Sequence, residues 1–520
     1  FAVNGALSAT AGQFTALPSF QDTLVRVGTA SGYAFTVGAA GGTFGTGARA
    51  LQLGDVSGAT GAVALATGGR VTTTLLQKGS GVGLLTANGG TLQAVSSVIN
   101  YLQGLTSAKI QSGGLTFDVP TNVSVSVYQA LLEDASSPGG GLGKTGWGTL
   151  SLYGANTVTG ALSVAGGTLA LQNGALPTNF ASAIVLANGS AIGCNQTGAA
   201  TLLARGLTPD STGVLVLYPA NTNDNIDLSA LSNVTLRTSG SFAYTGTLTP
   251  YTNLFVFTPD SGTTTFTQAI SDLPGHAGRV VVRGTSTGCL GLSGNSSYTG
   301  GTLLESGSLA MFHANALGTK TAGLQDIVCK SGTVLSVQAQ LTDASFFDRV
   351  QAQGAVSLQI DGGGLTNTVS LTNCPNLFTG SGSALAKAYF TGTLTPYGTT
   401  YLLGNTGVDP NDGSFGFVVT NLSDAADATP RSVLIRGIGA VDTRSSASYS
   451  GGTRIENGGK IIVTGDRGFG AVPGTFAPSN IVFNNGGVFR TENANMALAN
   501  TRGIVFGPGT TRIHASGALP

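Results

Sequence analysis

One heptapeptide, Thr-Gly-Thr-Leu-Thr-Pro-Tyr, occurs twice without change, at residues 245–251 and at residues 391–397. The two copies are 146 residues apart. A second element, Tyr-(Thr/Ser)-Gly-Gly-Thr, begins at Tyr298 and again at Tyr449, 151 residues later. A long-period repeat constrains architecture more strongly than local propensity does, because each repeat must bury its apolar face against its neighbours. The chain is therefore predicted to be a tandem array of units of about 150 residues.

The order of the recurring elements divides the chain into four regions. We predict an N-terminal solenoid region with a degenerate repeat at residues 1–141, followed by repeat modules at residues 142–283, 284–433 and 434–520. The third module stops before its heptapeptide would arrive. We therefore expect that module to be incomplete.

Short alternating segments between glycine-rich corners predict the fold. In Thr149–Leu152 polar and apolar residues alternate, which places both leucines on one face of a strand. The chain has 81 glycines in 520 residues and only 9% charged residues, and glycine suits corners that require a positive φ. The pattern predicts an all-β chain, a right-handed parallel β-helix (β-solenoid) built from tandem repeats. Short helices are expected only at residues 95–103 and 127–133.

The repeats resemble a known family. The segment Gly143-Lys-Thr-Gly-Trp-Gly-Thr-Leu-Ser-Leu152, with Asn156-Thr157 and Gly167-Thr168-Leu169, is similar to the passenger-associated transport repeat of bacterial autotransporters. Residues 297–302 and 448–453 match the central segment of that repeat, whereas Val158–Leu162 departs from it. The resemblance extends to very large secreted bacterial repeat proteins. It implies secretion, a parallel β-helix, and roles in adhesion, surface layers or fibres.

Charge and hydropathy limit the partners. The formal net charge is zero with 23 basic and 23 acidic residues, and no basic stripe is present, so nucleic acid is not an expected partner. No apolar run reaches the roughly 20 residues of a membrane helix, so no transmembrane segment is predicted. A net charge near zero favours association between copies.

Residues able to carry chemistry are scattered. The three histidines lie far apart and match no metal-binding spacing. The four cysteines form no CxxC pair, which favours small buried apolar residues over a metal site and leaves one or two disulfides open. Residues 139–145 resemble a phosphate-binding loop, but Pro138 stands where that motif needs glycine. The residues concerned are His276, His313, His514, Cys194, Cys289, Cys329 and Cys374.

Two acidic segments are the best candidates for calcium or carboxylate chemistry. They are Asp224–Asp227 and Asp409–Gly413. Calcium takes six to eight oxygen ligands, and neither segment offers enough, so Asx turns at strand ends are the preferred interpretation. We predict no catalytic, cofactor-binding or metal-binding residues, and hence no enzyme and no cofactor.

The sequence leaves three hypotheses about function. The first is a structural protein of the bacterial cell surface, extracellular, assembling end to end into a homopolymeric fibre or sheath; the apolar ends Phe1–Leu7 and Ile513–Pro520 lack polar caps. The second is an adhesin that binds carbohydrate or a host surface through exposed aromatic residues. The third is a polysaccharide lyase or hydrolase. The aromatic candidates are Trp147, Tyr244, Tyr389 and Tyr397.

Overall fold

A computed structural model shows a nearly all-β chain whose parallel strands stack as a β-solenoid of about 19 turns. The predicted fold class is confirmed. The structure describes residues 2–3, 7–9, 13–15, 24–27, 34–39, 41–172, 174–176, 181–319, 325–339, 341, 345–360, 368–380, 388–404, 416–437, 440–444, 447–492 and 496–515. No helix in these ranges is long and apolar enough to cross a membrane.

The chain forms two compact units. The first comprises Phe1–Gly240 and Tyr244–Tyr251, and the second comprises Ser241–Ala243 and Thr252–Pro520. These units do not test the predicted module boundaries, which were drawn from sequence repeats and stay predictions.

In the first unit, strands are distributed over three parallel sheets that the chain visits in turn. The first sheet contains Ala2–Val3, Leu24–Val27, Ala50–Leu53, Leu76–Lys78, Val98–Gln103, Ser124–Val127, Thr149–Leu152, Thr168–Leu171, Ala191–Cys194, Val214–Leu217 and Thr235–Ser239. The second contains Leu7–Ala9, Ala34–Ala39, Thr60–Ala66, Val82–Asn88, Ser107–Ile110 and Leu132–Glu133. The third contains Gln13–Thr15, Thr43–Gly45, Arg70–Thr73, Gly90–Ala94, Leu115–Asp118, Leu142–Thr145, Leu162–Val164 and Ile184–Leu186.

The second unit is built in the same way. A short parallel set contains Leu254–Phe266, Arg279–Arg283, Thr302–Ser306, Ile327–Lys330 and Val350–Gln353. A longer set starts from the end of Leu254–Phe266 and continues with Gly288–Leu292, Ser308–Met311, Val334–Val337, Val356–Ile360, Leu377–Gly380, Thr400–Leu403, Ser432–Ile435, Thr453–Glu456, Ala477–Asn484 and Arg502–Phe506. A six-stranded sheet contains Ala388–Phe390, Gly416–Val419, Ala440–Arg444, Lys460–Val463, Val488–Thr491 and Arg512–Ala515. In the strand Phe242–Tyr244, Phe242 and Ala243 belong to the second unit and Tyr244 to the first.

The predicted alternation explains the core. In the strand Thr149–Leu152, Leu150 and Leu152 are buried, whereas Thr149 and Ser151 are half-buried on the outer side. Leu150 pairs in register with Val125 on one side and Leu169 on the other, so successive turns stack apolar side chains in columns. Each such buried side chain contributes about 1.5–3 kcal/mol relative to exposure, which makes the columns the main source of stability.

The two predicted helices are wrong. The segments that cover them are the strands Val98–Gln103, Ser124–Val127 and Leu132–Glu133. In Ser124–Val127, Val125 and Val127 are buried in register with Leu150 and Leu152 of the neighbouring turn, and that packing outweighs weak local helix propensity. The one α-helix within the described residues is Ala199–Gly206; the 3₁₀ helices are Pro219–Asn221, Phe346–Arg349 and Asp466–Phe469.

Both copies of the heptapeptide adopt the same pairing. Leu248–Thr249 pairs with Ile226–Asp227, and Leu394–Thr395 pairs with Val369–Ser370. Each pair forms a separate two-stranded parallel sheet. The identical sequence therefore has an equivalent structural role in each copy, closing a short sheet with a segment that lies about one turn earlier in the chain.

Candidate functional sites

A carboxylate accepts a hydrogen bond from each copy of the Tyr-(Thr/Ser)-Gly-Gly-Thr element. Asp272 accepts hydrogen bonds from the backbone nitrogens of Gly278 (2.6 Å) and Thr299 (2.9 Å) and from Thr299 Oγ1 (2.8 Å). Burial opposes ionisation of Asp272, but these three bonds hold the pKa of its carboxyl below the usual value. The carboxylate therefore joins two successive turns of the solenoid.

Two further carboxylates occupy equivalent positions. Asp424 accepts from the backbone nitrogens of Arg431 (2.8 Å) and Ser450 (2.9 Å). In the copy in which Val158–Leu162 departs from the repeat, Glu133 accepts from Thr159 Oγ1 and from the Gly139 nitrogen. Those two hydrogen bonds lower the pKa of Glu133. Sequence reasoning missed this group, although Asp272 and Asp424 lie 152 residues apart, close to the repeat period.

A buried tyrosine and a buried arginine complete each full copy. The hydroxyls of Tyr298 and Thr302 lie 2.6 Å apart, and those of Tyr449 and Thr453 lie 2.7 Å apart. Arg349 donates to the carbonyls of Leu317 and Gly318, and Arg502 makes the corresponding bond to Gly470. These contacts lie inside the solenoid and hold its backbone in place.

The first acidic segment forms turns and a helix cap. Asp224 is buried, and its two carboxylate oxygens accept from the backbone nitrogens of Gly198 (2.7 Å) and Ala200 (2.9 Å) at the start of the α-helix. Asp227 accepts from the Ser229 nitrogen at 2.9 Å, which is an Asx turn as predicted. Asp409–Gly413 lies outside the described residues. Among the described residues, no group of three or more His, Cys, Asp or Glu side chains could hold a metal ion.

The structure places the phosphate-loop-like segment in a strand. Lys144 lies on Leu142–Thr145 and points into the core, where its Nζ donates to the carbonyls of Thr145 (2.8 Å), Gly146 (2.6 Å) and Gly166 (3.1 Å). Burial lowers the pKa of Lys144 to about 8, and the charge of Asp118 partly opposes that shift. The ammonium group therefore links the corner at Gly146 to the corner at Gly166 inside the core.

The lowered pKa of Lys144 predicts a pH-dependent stability. The unfolded chain keeps this proton up to a pH of about 10.4, whereas the folded chain loses it near pH 8. Between those values the unfolded state binds the Lys144 proton and the folded state does not, so this group alone raises the free energy of unfolding with pH by up to about 3 kcal/mol. The raised pKa values of the buried thiols act in the opposite direction over the same range, so the Lys144 contribution is read as a difference between variants. In urea unfolding over the same range, the stability of wild type relative to Lys144→Met should therefore increase with pH. Lys109→Met, which removes an exposed lysine on the strand Ser107–Ile110, should keep the wild-type pH dependence. Equal slopes in wild type and Lys144→Met would contradict the assignment.

The cysteines carry free thiols, and the histidines lie in separate local surroundings. All four cysteines carry free thiols; Cys194, Cys329 and Cys374 are buried and Cys289 is half-buried. Burial raises the pKa of Cys194, Cys329 and Cys374 to about 12 and that of Cys289 to about 11, which keeps them protonated at neutral pH. His313 Nδ1 accepts from the Asn315 nitrogen, His276 pairs through its backbone with Leu273, and His514 lies on Arg512–Ala515.

The aromatic candidates divide into two groups. Trp147, Tyr389 and Tyr397 are exposed. Tyr244 is fully buried; its hydroxyl donates to the carbonyl of Asp224 (2.6 Å) and lies 3.1 Å from the carbonyl of Thr247, so its proposed role in stacking on a ligand is wrong. It lies inside the turn that precedes the first heptapeptide, where the ring fills the core and the hydroxyl is satisfied.

One exposed aromatic pair was missed. Tyr128 and Tyr153 stack with ring centroids 4.4 Å apart and an interplanar angle of 11°. Each tyrosine directly follows a strand of the first sheet, Ser124–Val127 or Thr149–Leu152, and those strands pair in register. The signal in the sequence was a tyrosine at the same position after two consecutive alternating segments.

Comparisons with known proteins were negative: no family model, no curated protein and no solved structure matches the chain. The resemblance of the glycine-rich repeats to autotransporter passenger repeats therefore stays a hypothesis. The parallel β-solenoid is compatible with it.

Proposed function

We propose that this chain is a non-catalytic structural protein of the bacterial cell surface, which assembles end to end into an extracellular fibre or sheath. The surface location follows from the resemblance of the repeats. The carboxylates at equivalent positions, Glu133, Asp272 and Asp424, accept hydrogen bonds from backbone and side-chain donors within the turns. Their role in holding turns supports a scaffold in preference to a lyase or hydrolase, which needs two carboxylates in one cleft.

The observation that carries the assembly proposal is the apolar edge formed by the strand Arg502–Phe506. Ile504 and Phe506 pair in register with Ile481 and Phe483. Ile481 and Phe483 are 0% and 1% exposed, whereas Ile504 and Phe506 are 40% and 54% exposed. On the described residues, no further strand pairs with the outer edge of Arg502–Phe506. A parallel edge with apolar core positions is a template for another strand, so we propose that a turn from a second copy of this chain can pair with Ile504 and Phe506.

Charged substitutions on this edge test the proposal. In Phe506→Lys a core position of the edge carries an ammonium group, so the filaments that we expect from the purified wild-type chain by negative-stain electron microscopy should be absent. Val505→Lys is the matched control, because Val505 lies on the same strand at the alternate, outward position and is also exposed. Filaments should persist in that control. A wild-type chain that stays monomeric at all concentrations, or filaments that survive Phe506→Lys, would overturn the proposal.

A further inference from the structure

An exposed line of aromatic and hydroxyl side chains follows one strand of the first unit. Trp147 lies in the turn before Thr149–Leu152 and Tyr153 lies immediately after it. The two side chains are 59% and 37% exposed. Between them, Thr149 and Ser151 occupy the outward positions of the strand. At about 3.3 Å per residue, the two aromatic residues are up to roughly 20 Å apart.

Both aromatic groups are held by their surroundings. Tyr153 stacks on Tyr128, which is itself 45% exposed. Trp147 lies beside Gly189, where a Cβ atom would be 3.1 Å from Cζ3 of the indole. A ligand that stacks on these rings would therefore meet a pre-oriented surface, which lowers the entropic cost of binding.

Neutral polar side chains surround the tyrosine pair. Val127 pairs with Leu102 and Leu152 pairs with Leu171. Gln103, the last residue of its strand, and Gln172, which follows its strand, therefore lie at the same register as Tyr128 and Tyr153. Amide and hydroxyl groups both donate and accept hydrogen bonds. The outward positions of the strands Ser124–Val127, Thr149–Leu152 and Thr168–Leu171 carry no ionisable group. They hold Ser124, Ser126, Thr149, Ser151, Thr168 and Ala170.

We propose that this strip, defined by Trp147, Thr149, Ser151, Tyr153 and Tyr128, binds a neutral, extended oligosaccharide. The apolar faces of pyranose rings would stack on the indole at one end and on the tyrosine pair at the other, and sugar hydroxyls would exchange hydrogen bonds with Thr149 and Ser151. Single-stranded nucleic acid also stacks on aromatic residues, but its phosphates need cationic side chains, and these three strands have none at their outward positions. The inference does not depend on end-to-end assembly.

Trp147 is itself the reporter for the test, because the chain contains a single tryptophan. The purified 520-residue chain is titrated with cellohexaose and with xylohexaose, and with hexagalacturonate as an anionic comparison, while tryptophan emission and quenching by iodide are followed. At least one neutral hexaose should shift the emission to shorter wavelength and reduce quenching in a saturable manner. Absence of both changes up to millimolar concentration, or a response to hexagalacturonate alone, would overturn the proposal.

Variants locate the binding on the strip. The double variant Tyr128→Ala/Tyr153→Ala, checked for folding by circular dichroism, should weaken binding of the responding hexaose about tenfold through loss of the stacked pair. Tyr389→Ala removes an equally exposed tyrosine from the second unit and should leave the affinity unchanged. Unchanged affinity in the folded double variant would place the sugar elsewhere and reject the site.

Discussion

Replacing Arg349 by Met is expected to lower the free energy of unfolding of the second unit by about 3–5 kcal/mol. Both Arg349 and its partner Asp326 have buried side chains, with Arg349 Nη2 at 2.7 Å from Asp326 Oδ2 and Nε at 2.9 Å from Oδ1. The same guanidinium donates to the carbonyls of Leu317 (2.8 Å) and Gly318 (3.1 Å). Removing it leaves a buried carboxylate and two carbonyls without these donors, so the loss greatly exceeds that of a surface ion pair. Urea unfolding followed by circular dichroism measures the change.

Two variants separate the cost of an orphaned charge from the loss of a contact. Arg283→Met removes an exposed arginine that lies 2.6 Å from Glu305, and should cost less than about 1 kcal/mol. Arg349→Met/Asp326→Leu removes both buried charges and should recover a large part of the stability lost in the single variant. If Arg349→Met unfolds at the same urea concentration as Arg283→Met, the contacts of the buried Arg349 contribute no more to stability than an exposed ion pair does.

Gly470→Ala is expected to destabilise the second unit by about 2–4 kcal/mol. Gly470 has φ of 89°, and a Cβ atom there would lie 2.4 Å from the carbonyl oxygen of Tyr449. The backbone conformation alone costs a residue with a side chain about 1 kcal/mol, and the clash with a backbone atom of the neighbouring turn adds about 1–3 kcal/mol. Gly318 makes the equivalent approach to Tyr298, so Gly318→Ala should behave in the same way.

Two other glycines of the second unit are controls in which a Cβ atom would meet no close neighbour. Gly458 has φ of 80° but its nearest neighbour would be 3.9 Å from a Cβ atom, so Gly458→Ala should cost only about 1 kcal/mol. Gly474 has no atom within 4 Å of that position and is exposed, so Gly474→Ala should change stability by less than about 0.5 kcal/mol. Equal losses in Gly458→Ala and Gly470→Ala would show that the backbone conformation, and not the close approach of turns, dominates.

The repeats and the alternation were enough to predict the parallel solenoid. Leu150 and Leu152 were expected on one face, and both are buried in register with the neighbouring turns. The period of 2 is a property of every extended strand, so it can be read without knowing which strand lies alongside. The recurrence of Thr-Gly-Thr-Leu-Thr-Pro-Tyr likewise corresponds to the same two-stranded pairing in both copies.

The polar contacts between turns could not be predicted, because their partners lie about one turn away in the chain. Asp272 holds a nitrogen 27 residues later, and Arg349 donates to a carbonyl 32 residues earlier. Nothing local in the sequence distinguishes these side chains from solvated ones. Tyr244 and Trp147 show the same limit: both were aromatic candidates for stacking on a ligand, yet one is fully buried and the other is exposed.

The sequence by itself determined the architecture. Short alternating segments between glycine-rich corners, grouped in units that recur about every 150 residues, can bury the apolar face of every strand in an all-β solenoid. Only the tertiary structure decided which polar side chains became internal ties and which aromatic residues became surface. The physical reason is that the direction of a side chain follows from its own strand, whereas its burial and its partners are set by the turns stacked above and below it. Lys144 demonstrates the difference. Its local sequence resembles a phosphate-binding loop, but in the folded chain its ammonium group is buried and donates to the carbonyls of two neighbouring corners.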